Sequence, residues 1–285
     1  MTAPILRRLA DLRANYATWI RAGEVVGVVP TMGALHAGHL SLVEAAKAAC
    51  DRVIVTIFVN PRQFNSAEDL AKYPRTEQAD AAKLAPYGVD VVYVPDPDQI
   101  SPEGYATSVS VEGITDVLEG TFRPGHFDGV ATVVAKLFLQ TGAHKAFFGE
   151  KDFQQLMVVR RMARDLDIPI EVIGCPTGRE ASGLAMSSRN MRLSVDALEK
   201  AGQLYPIMTD CAARLTAGEA FEKIEPDARA ALDAAGFGEI EYLDLRCADT
   251  LAPLQTPTRP ARLLAAAWLD GVRLIDNIPV PQLGD

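Results

Sequence analysis

The sequence predicts an α/β protein with a Rossmann-like, doubly wound parallel sheet and a smaller C-terminal α+β domain. Short, continuously apolar, β-branched runs, such as residues 25–29 and 53–59, alternate with stretches of helical composition. Strands that are apolar on both faces are typical of a parallel sheet covered by helices on both sides. The alternation stops after about Thr177, which places a domain boundary there.

The first domain is expected to span residues 1–177. Its predicted helices cover residues 1–21, 39–50, 67–85, 127–140 and 153–165, and its predicted strands cover residues 25–29, 53–59, 89–94, 146–148 and 170–173. The apolar residues of the first helix are spaced among arginines, and Gly23 follows them. This pattern is typical of an amphipathic helix and not of a signal peptide.

The second domain is expected to span residues 178–285. Two helices are predicted over residues 195–215 and 221–235, followed by strands over residues 240–245, 262–269 and 272–278. Asp270 and Gly271 separate the last two strands, and this dipeptide is a strong signal for a hairpin turn.

The composition excludes several classes of protein. The 285 residues are 48% hydrophobic, which argues against disorder, and 28 basic against 37 acidic residues give a net charge of −9. Such an acidic surface repels phosphate backbones, so nucleic acid is not an expected partner, although a small anion in a locally positive cleft is compatible. No window approaches a membrane span. The four cysteines lack disulfide or zinc spacing, which favours reduced thiols in a cytoplasmic protein.

The segment of residues 30–39 carries the clearest chemical signal. It lies between the first strand and a helix, and it contains His36 and His39 in the pattern His-x-Gly-His. Positions i and i+3 share a helix face, and a helix N-terminus favours anions, so these residues predict a phosphate site. A pair of surface histidines beside a turn, or a zinc site that lacks an evident third ligand, are the alternatives.

This segment resembles the His-x-Gly-His loop of the adenylate-forming nucleotidyltransferase superfamily, and in detail that of the pantothenate synthetase (pantoate–β-alanine ligase) family. Further blocks match that family in order: residues 58–64, 73–76, 123–130, 149–155 and 186–190. The resemblance implies that (R)-pantoate attacks the α-phosphorus of ATP to form pantoyl adenylate and pyrophosphate. The amine of β-alanine then displaces AMP to give pantothenate. A homodimer is also implied.

The resemblance assigns catalytic roles to His39, His36, Lys151 and Arg189, as donors that neutralise phosphate charge. It assigns the following residues to ATP: Met32, Gly33, Ala34, Leu35, His36, Ala37, Gly38, His39, Gly149, Glu150, Lys151, Asp152, Gly178, Met186, Ser187, Ser188 and Arg189.

Gln63 and Gln155 match the pantoate-binding glutamines of the family, and Gln63 is also a candidate for β-alanine. Phe64 and Val130 are candidates for apolar walls or for core packing, and Asn60 for a ligand or for loop orientation. ATP chemistry and the family imply Mg²⁺, but the sequence does not decide its ligands; Asp80 and Asp152 are candidates.

Three positions depart from the family pattern. Gly178 replaces a usual valine, Ser182 a common aspartate and Phe153 a frequent tyrosine. Every cationic position is retained, so activity is still expected.

Three other functions are the alternatives to this ligase. A nucleotidyltransferase of the same superfamily would need no amine substrate. A non-catalytic nucleotide sensor would be expected to lack Lys151 or the segment of residues 187–189. A tRNA-charging enzyme would need a basic extension that the chain lacks.

Overall fold

The structure, a computed structural model, describes residues 3–283, apart from the side chain of Asp69. Contacts divide the chain into two compact units. The first comprises Met1–Glu150 and Gln154–Pro176, and the second comprises Lys151–Phe153 and Thr177–Asp285. No helix within residues 3–283 is long and apolar enough to cross a membrane.

The first unit contains six strands of one sheet: β1 (Ile5–Leu6), β2 (Val26–Thr31), β3 (Arg52–Ile57), β4 (Val91–Tyr93), β5 (Lys145–Gly149) and β6 (Glu171–Cys175). Its helices are α1 (Leu9–Arg21), α2 (Ala37–Ala49), α3 (Ala67–Lys72), α4 (Glu77–Leu84), α5 (Pro97–Ile100), α6 (Glu119–Phe122), α7 (His126–Thr141) and α8 (Phe153–Asp165), whose first residue belongs to the second unit.

All strand pairs of this sheet are parallel, in the order β1-β4-β3-β2-β5-β6. The predicted doubly wound α/β fold is therefore confirmed. The chain runs outward from β2 through β3 to β4, and then returns to place β5 on the other side of β2. The strand order thus reverses at β2 and β5, and ligands of such sheets bind at the carboxyl ends of the strands at this point.

Burial explains why the β-branched runs form the centre of the sheet. The residues of β2 and β3 alternate between its two faces, and most of them are fully buried; Val29, Val53 and Val55 share a cluster with Leu42 and Val43 of α2. Helix α7 is buried along most of its length, because most of its residues are apolar. Gly125 and Gly142, both in left-handed conformations, flank its two ends. The sheet therefore forms a rigid support for the loops at its edge.

The second unit joins helices to a three-stranded antiparallel sheet of order β7-β8-β9. Its elements are α9 (Val195–Ala201), α10 (Leu204–Thr216), α11 (Phe221–Ala234), β7 (Ile240–Cys247), β8 (Ala261–Leu269) and β9 (Val272–Val280). Asp270 and Gly271 have φ values of +49° and +70°, as the tight turn between β8 and β9 requires. The smaller α+β arrangement predicted for this region is confirmed.

Three predicted helices differ from the structure by more than one or two residues at their limits. The first begins only at Leu9, because Ile5 and Leu6 pair with β4 as a strand; Met1 and Thr2 lie outside the described residues. The helix expected over residues 67–85 is divided around Pro74, whose ring disfavours a helical conformation at the preceding residue. The helix expected over residues 195–215 is divided near Gly202.

Candidate active site

The segments that follow β2, β3 and β5 leave the sheet at its carboxyl edge. Because β2 lies between β3 and β5, these three segments start side by side. They carry His36 and His39, Gln63, and Gly149 with Glu150. The sequence therefore placed these residues at the edge where this fold class binds ligands.

The two histidines meet at the start of α2. His36 is the N-cap residue, and the ring centroids of His36 and His39 are 4.1 Å apart. The backbone N–H of His36 donates to Nδ1 of His39 over 3.4 Å. This assignment makes Nδ1 an acceptor, so the neutral ring carries its proton on Nε2. The predicted shared face is present, and His39 can act there as a donor.

The loop between β2 and α2 is held from inside the protein. Gly33 and Ala34 both have left-handed backbones, with φ of +83° and +52°. The N–H groups of Ala34 and Leu35 donate to the carboxylate of Asp80, each over 2.9 Å. These two residues were predicted to bind ATP, and any such contact must use atoms other than their N–H groups.

The sequence makes Asp80 a candidate magnesium ligand, but the structure gives its carboxylate a different environment. Its side chain is fully buried, and both oxygens accept hydrogen bonds from the protein. Sequence reasoning missed this contact with the loop, because the two partners are 45 and 46 residues apart.

Asn60 fixes the orientation of the Gln63 side chain. The Arg62 N–H donates to Oδ1 of Asn60, which leaves Nδ2 of Asn60 as the donor to Oε1 of Gln63 and to the Gly129 carbonyl, each over 3.0 Å. Oε1 of Gln63 is thereby used as an acceptor, and Nε2 donates to no other residue within 3–283. Gln63 is therefore prepared to donate to an anion or a hydroxyl.

The backbone of Gln63 is held from α7 and the residues before it. Its carbonyl accepts from Nδ1 of His126 over 2.8 Å and from Arg123 over 3.2 Å. Arg123 in turn pairs with Glu119, which is buried. A Cβ on Gly129 would lie 2.5 Å from the Arg62 carbonyl, so α7 packs directly against this segment. In the block of residues 123–130, Arg123, His126 and Gly129 therefore hold the backbone around Gln63.

Positive charge gathers beside the same segment. The Arg62 guanidinium and the Lys136 ammonium lie 4.9 and 4.6 Å from the ring centroid of Tyr105. Burial lowers the pKa of Lys136, and the nearby Arg62 lowers it further. Val130 is buried in α7, while the ring of Phe64 packs edge-on against Tyr73.

The structure distinguishes the two neighbouring glutamines of α8. Gln154 is buried, donates to the carbonyls of Ile114 and Val117, and accepts from the Glu119 N–H. Its amide is therefore occupied by the protein. Gln155 is half-buried, and its amide makes no hydrogen bond to any of the described residues. Gln155, the predicted pantoate residue, is thus the one that remains able to bind a ligand.

Lys151 lies in a short 3-10 helix, Glu150–Asp152, which directly follows β5. Its side chain is 18% exposed, and its ammonium is 3.9 Å from the Asp152 carboxylate. Within the second unit, Nδ2 of Asn277 donates to the Lys151 carbonyl over 2.9 Å. The backbone that carries this lysine is therefore anchored to β9.

The segment around Gly178 is a tight hairpin. The Gly178 carbonyl accepts from the Met186 N–H over 2.9 Å, which closes the hairpin. Arg179 forms two hydrogen bonds with the buried Asp276, of 2.6 and 3.0 Å, and its guanidinium lies over the ring of Tyr205. Arg179 thus stabilises the hairpin, and Ser182 accepts a backbone hydrogen bond within it.

The predicted pyrophosphate segment begins directly after this hairpin. Ser187 is the N-cap of a 3-10 helix, Ser188–Arg192, and its hydroxyl accepts from the Arg189 N–H. Asn190 is buried and donates to the Ala185 carbonyl over 3.1 Å. This anchor holds Ser187, Ser188 and Arg189 on a defined turn.

Comparison with known proteins gives a consistent family. The family model described as pantoate-beta-alanine ligase matches residues 4–279. A pantothenate synthetase of Ruegeria pomeroyi is 74% identical over 285 residues, which are the whole of both chains. A pantothenate synthetase of Roseobacter denitrificans is 64% identical over 281 residues, 99% of each chain.

Solved structures agree with these relatives. A pantothenate synthetase structure from Thermus thermophilus is 45% identical, with a TM-score of 0.92 over 98% of this chain and 99% of that one. A pantoate-beta-alanine ligase from Francisella tularensis, complexed with beta-gamma ATP and beta-alanine, is 35% identical, with a TM-score of 0.79 over 97% of each chain. With a family model that covers almost its entire length, this chain belongs to the pantoate-beta-alanine ligase family.

Proposed function

We propose that this protein condenses (R)-pantoate with β-alanine to form pantothenate, converting ATP to AMP and pyrophosphate. The observation that carries the proposal is its likeness, over 97% of each chain, to a ligase whose structure contains beta-gamma ATP and beta-alanine. The donor groups described above supply what such a reaction requires, because both substrates of its first step are anions.

In the first step, a pantoate carboxylate oxygen bonds to the α-phosphorus of ATP. The bond from that phosphorus to the bridging oxygen breaks, and pyrophosphate leaves with the electron pair. Catalysis of this step requires positioning and charge neutralisation. We assign His39 Nε2–H, together with His36 and the N-terminus of α2, to the phosphates. Lys151, Ser187, Ser188 and Arg189 are the proposed donors from the second unit.

In the second step, the β-alanine nitrogen bonds to the acyl carbon of pantoyl adenylate. The bond from that carbon to the phosphate oxygen breaks, AMP leaves, and the nitrogen loses a proton. We assign Gln63 and Gln155 to pantoate, since the Gln63 amide presents its NH₂ group and Gln155 makes no hydrogen bond to another described residue. Residues 1–177 are proposed as the nucleotide- and pantoate-binding domain, with the donors from the second unit added to it.

Mg²⁺ is proposed as the companion of ATP, where it would neutralise phosphate charge. No cluster of three or more potential metal-ligating side chains occurs among the described residues. Mg²⁺ commonly binds through phosphates, waters and one or two carboxylates, so it does not need such a cluster. The half-exposed Asp152 is a suitable ligand, whereas the carboxylate of Asp80 is occupied by the protein.

The proposed setting is the cytoplasm, and the proposed assembly is a homodimer. The four cysteines are free thiols, as reducing conditions require. Light scattering on the purified protein tests the assembly, and a monomer at micromolar concentration would contradict it.

AMP release from ATP and pantoate, with and without β-alanine, tests the function. AMP is expected only when both acids are present. Pyrophosphate release with a phosphorylated acceptor, and no need for an amine, would instead identify a nucleotidyltransferase. Lys151→Ala is expected to lower kcat by about 10²–10³-fold while the fold persists. A near-normal rate in this variant would remove Lys151 from the mechanism.

A further inference from the structure

A buried carboxylate holds the loop that leads into the two histidines. Asp80 lies on α4 and is fully buried. Its Oδ1 accepts from the Leu35 N–H, and its Oδ2 accepts from the Ala34 N–H and from the Thr76 hydroxyl, each over 2.9 Å. Three donors of the protein therefore satisfy both oxygens of one carboxylate, and such charge-assisted hydrogen bonds are among the stronger ones.

The same helix also holds the loop through a second residue. Nζ of Lys83 donates to the Leu35 carbonyl over 2.6 Å. Asp80 and Lys83 are three positions apart on α4 and so lie on one face of the helix. Together they bind both the N–H and the C=O group of Leu35, the residue that precedes the N-cap histidine of α2.

The loop needs such support because its backbone is strained. Ala34 is a non-glycine residue with φ of +52°, a left-handed conformation that is unfavourable for an L-amino acid. A Cβ on the preceding Gly33 would lie 3.1 Å from the Ile57 side chain and 3.2 Å from Oδ2 of Asp80. A strained segment persists when its surroundings determine it, and here those surroundings include α4.

The carboxylate also occupies a place that an anion could take. Successive backbone N–H groups in left-handed or turn conformations form a concave anion site. In this loop Asp80 fills that site, so a phosphate cannot use the N–H groups of Ala34 and Leu35. Phosphate recognition at this edge is thereby left to the histidines and the N-terminus of α2.

We propose that Asp80, assisted by Lys83, is a positioning residue for nucleotide activation: it holds the loop of residues 33–35 so that His36 and His39 present their rings in one fixed arrangement. This inference rests on the proposed function for its kinetic consequence. Its structural part, the effect on the histidines, is independent of activity. Because both oxygens of Asp80 are already engaged by the protein, a metal-ligand role is not part of it.

Asp80→Asn is the direct test. Asparagine has the same size as aspartate, but its NH₂ group replaces one of the two oxygens and cannot accept a hydrogen bond from a backbone N–H. We expect kcat/KM for ATP to fall by about 10²-fold, the effect of displacing catalytic groups by about 1 Å, while KM for pantoate changes less than about threefold. Dependence on Mg²⁺ concentration should stay the same. Lys83→Met, at an exposed position, should fold and show a smaller decrease of the same kind.

Tyr93→Phe is the matched control. It removes the hydrogen bond from the Tyr93 hydroxyl to Gln140, which is buried in the same unit, and leaves the loop untouched. Its unfolding midpoint should fall while its kcat/KM for ATP stays near that of the parent. If Asp80→Asn and Tyr93→Phe both lose ATP turnover in proportion to their loss of stability, the positioning role is refuted.

Imidazole NMR provides the readout that does not need turnover. The chain has four histidines, and Asp80→Asn should shift the ring resonances of His36 and His39 and leave those of His126 and His144 in place. Unchanged His36 and His39 resonances would overturn the proposal, even if the parent protein made no AMP. An inactive parent with shifted resonances would reject the proposed function and retain the role of Asp80 in holding the loop.

Discussion

The orientation of the Gln63 amide leads to a sharp prediction about pantoate binding. Asn60 donates to Oε1 of Gln63, so the NH₂ group of Gln63 is the part left for a ligand. In the Gln63→Glu variant, one carboxylate oxygen can still accept from Asn60, while the other replaces the NH₂ group. The side chain keeps its size and its internal hydrogen bond, and only the group offered to the substrate changes.

The expected loss follows from two contributions. A hydrogen bond to a charged group is worth about 1.5–3 kcal/mol, which corresponds to about 10- to 150-fold in kcat/KM for pantoate. Two like charges about 4 Å apart add a repulsion of up to about 4 kcal/mol in a half-buried site. Gln63→Met loses the donor to pantoate and the hydrogen bond from Asn60, but it introduces no charge. We therefore expect the glutamate variant to be at least about tenfold worse than the methionine variant.

The assay measures kcat/KM for pantoate in Gln63→Glu and Gln63→Met, from steady-state AMP release at varied pantoate. It is run at a mildly alkaline pH, where the glutamate is ionised. Circular dichroism and the unfolding midpoint control for folding. If Gln63→Glu equals or exceeds Gln63→Met, the amide does not donate to the pantoate carboxylate. A selective gain for β-alanine would instead indicate that Gln63 faces the ammonium group.

Three further predictions concern packing and stability. Gly129→Ala places a Cβ 2.5 Å from the Arg62 carbonyl oxygen, next to Gln63. The variant should lose about 1–3 kcal/mol of unfolding free energy and have a lower kcat/KM for pantoate. Gly238→Ala is the control that should be tolerated, because the nearest atom to its new Cβ is 3.7 Å away. Asp276→Ala leaves the Arg179 guanidinium without its bidentate partner. Urea unfolding should show a loss of about 3–5 kcal/mol in the stability of the second unit, and a loss below about 1 kcal/mol would show that the pair contributes little. Burial raises the pKa of Tyr93 to about 12, so the folded state holds the phenol proton more tightly than the unfolded state does. The free energy of unfolding should therefore fall as the pH rises from about 10 to 12. An equally steep fall in Tyr93→Phe would reject Tyr93 as the cause.

Local patterns predicted much of the fold because their physical origin is local. Continuously apolar, β-branched runs indicated strands covered on both faces, and the structure confirms a parallel sheet. Asp270 and Gly271 indicated a hairpin, because few residues adopt positive φ at low cost. His36 and His39 were expected on one face at the start of a helix, and their rings are in contact distance there.

Other features depend on residues that are far apart in the sequence. The amides of Gln154 and Gln155 look alike in the sequence, and only the fold shows that the first is occupied by backbone groups 35 to 40 residues away. In the sequence Asp80 resembles any other acidic residue on a helix. Only the fold shows that its carboxylate accepts from the N–H groups of Ala34 and Leu35.

The sequence by itself thus determined the fold class, the family and the residues that carry charge and hydrogen-bonding groups, because apolar periodicity and short motifs reflect interactions within a few positions. The tertiary structure alone decided which of those groups are satisfied by the protein and which remain for a ligand. A hydrogen bond is decided by distance and direction between its two partners, and for Asp80, Asn60 and Gln154 those partners come together only when the chain has folded.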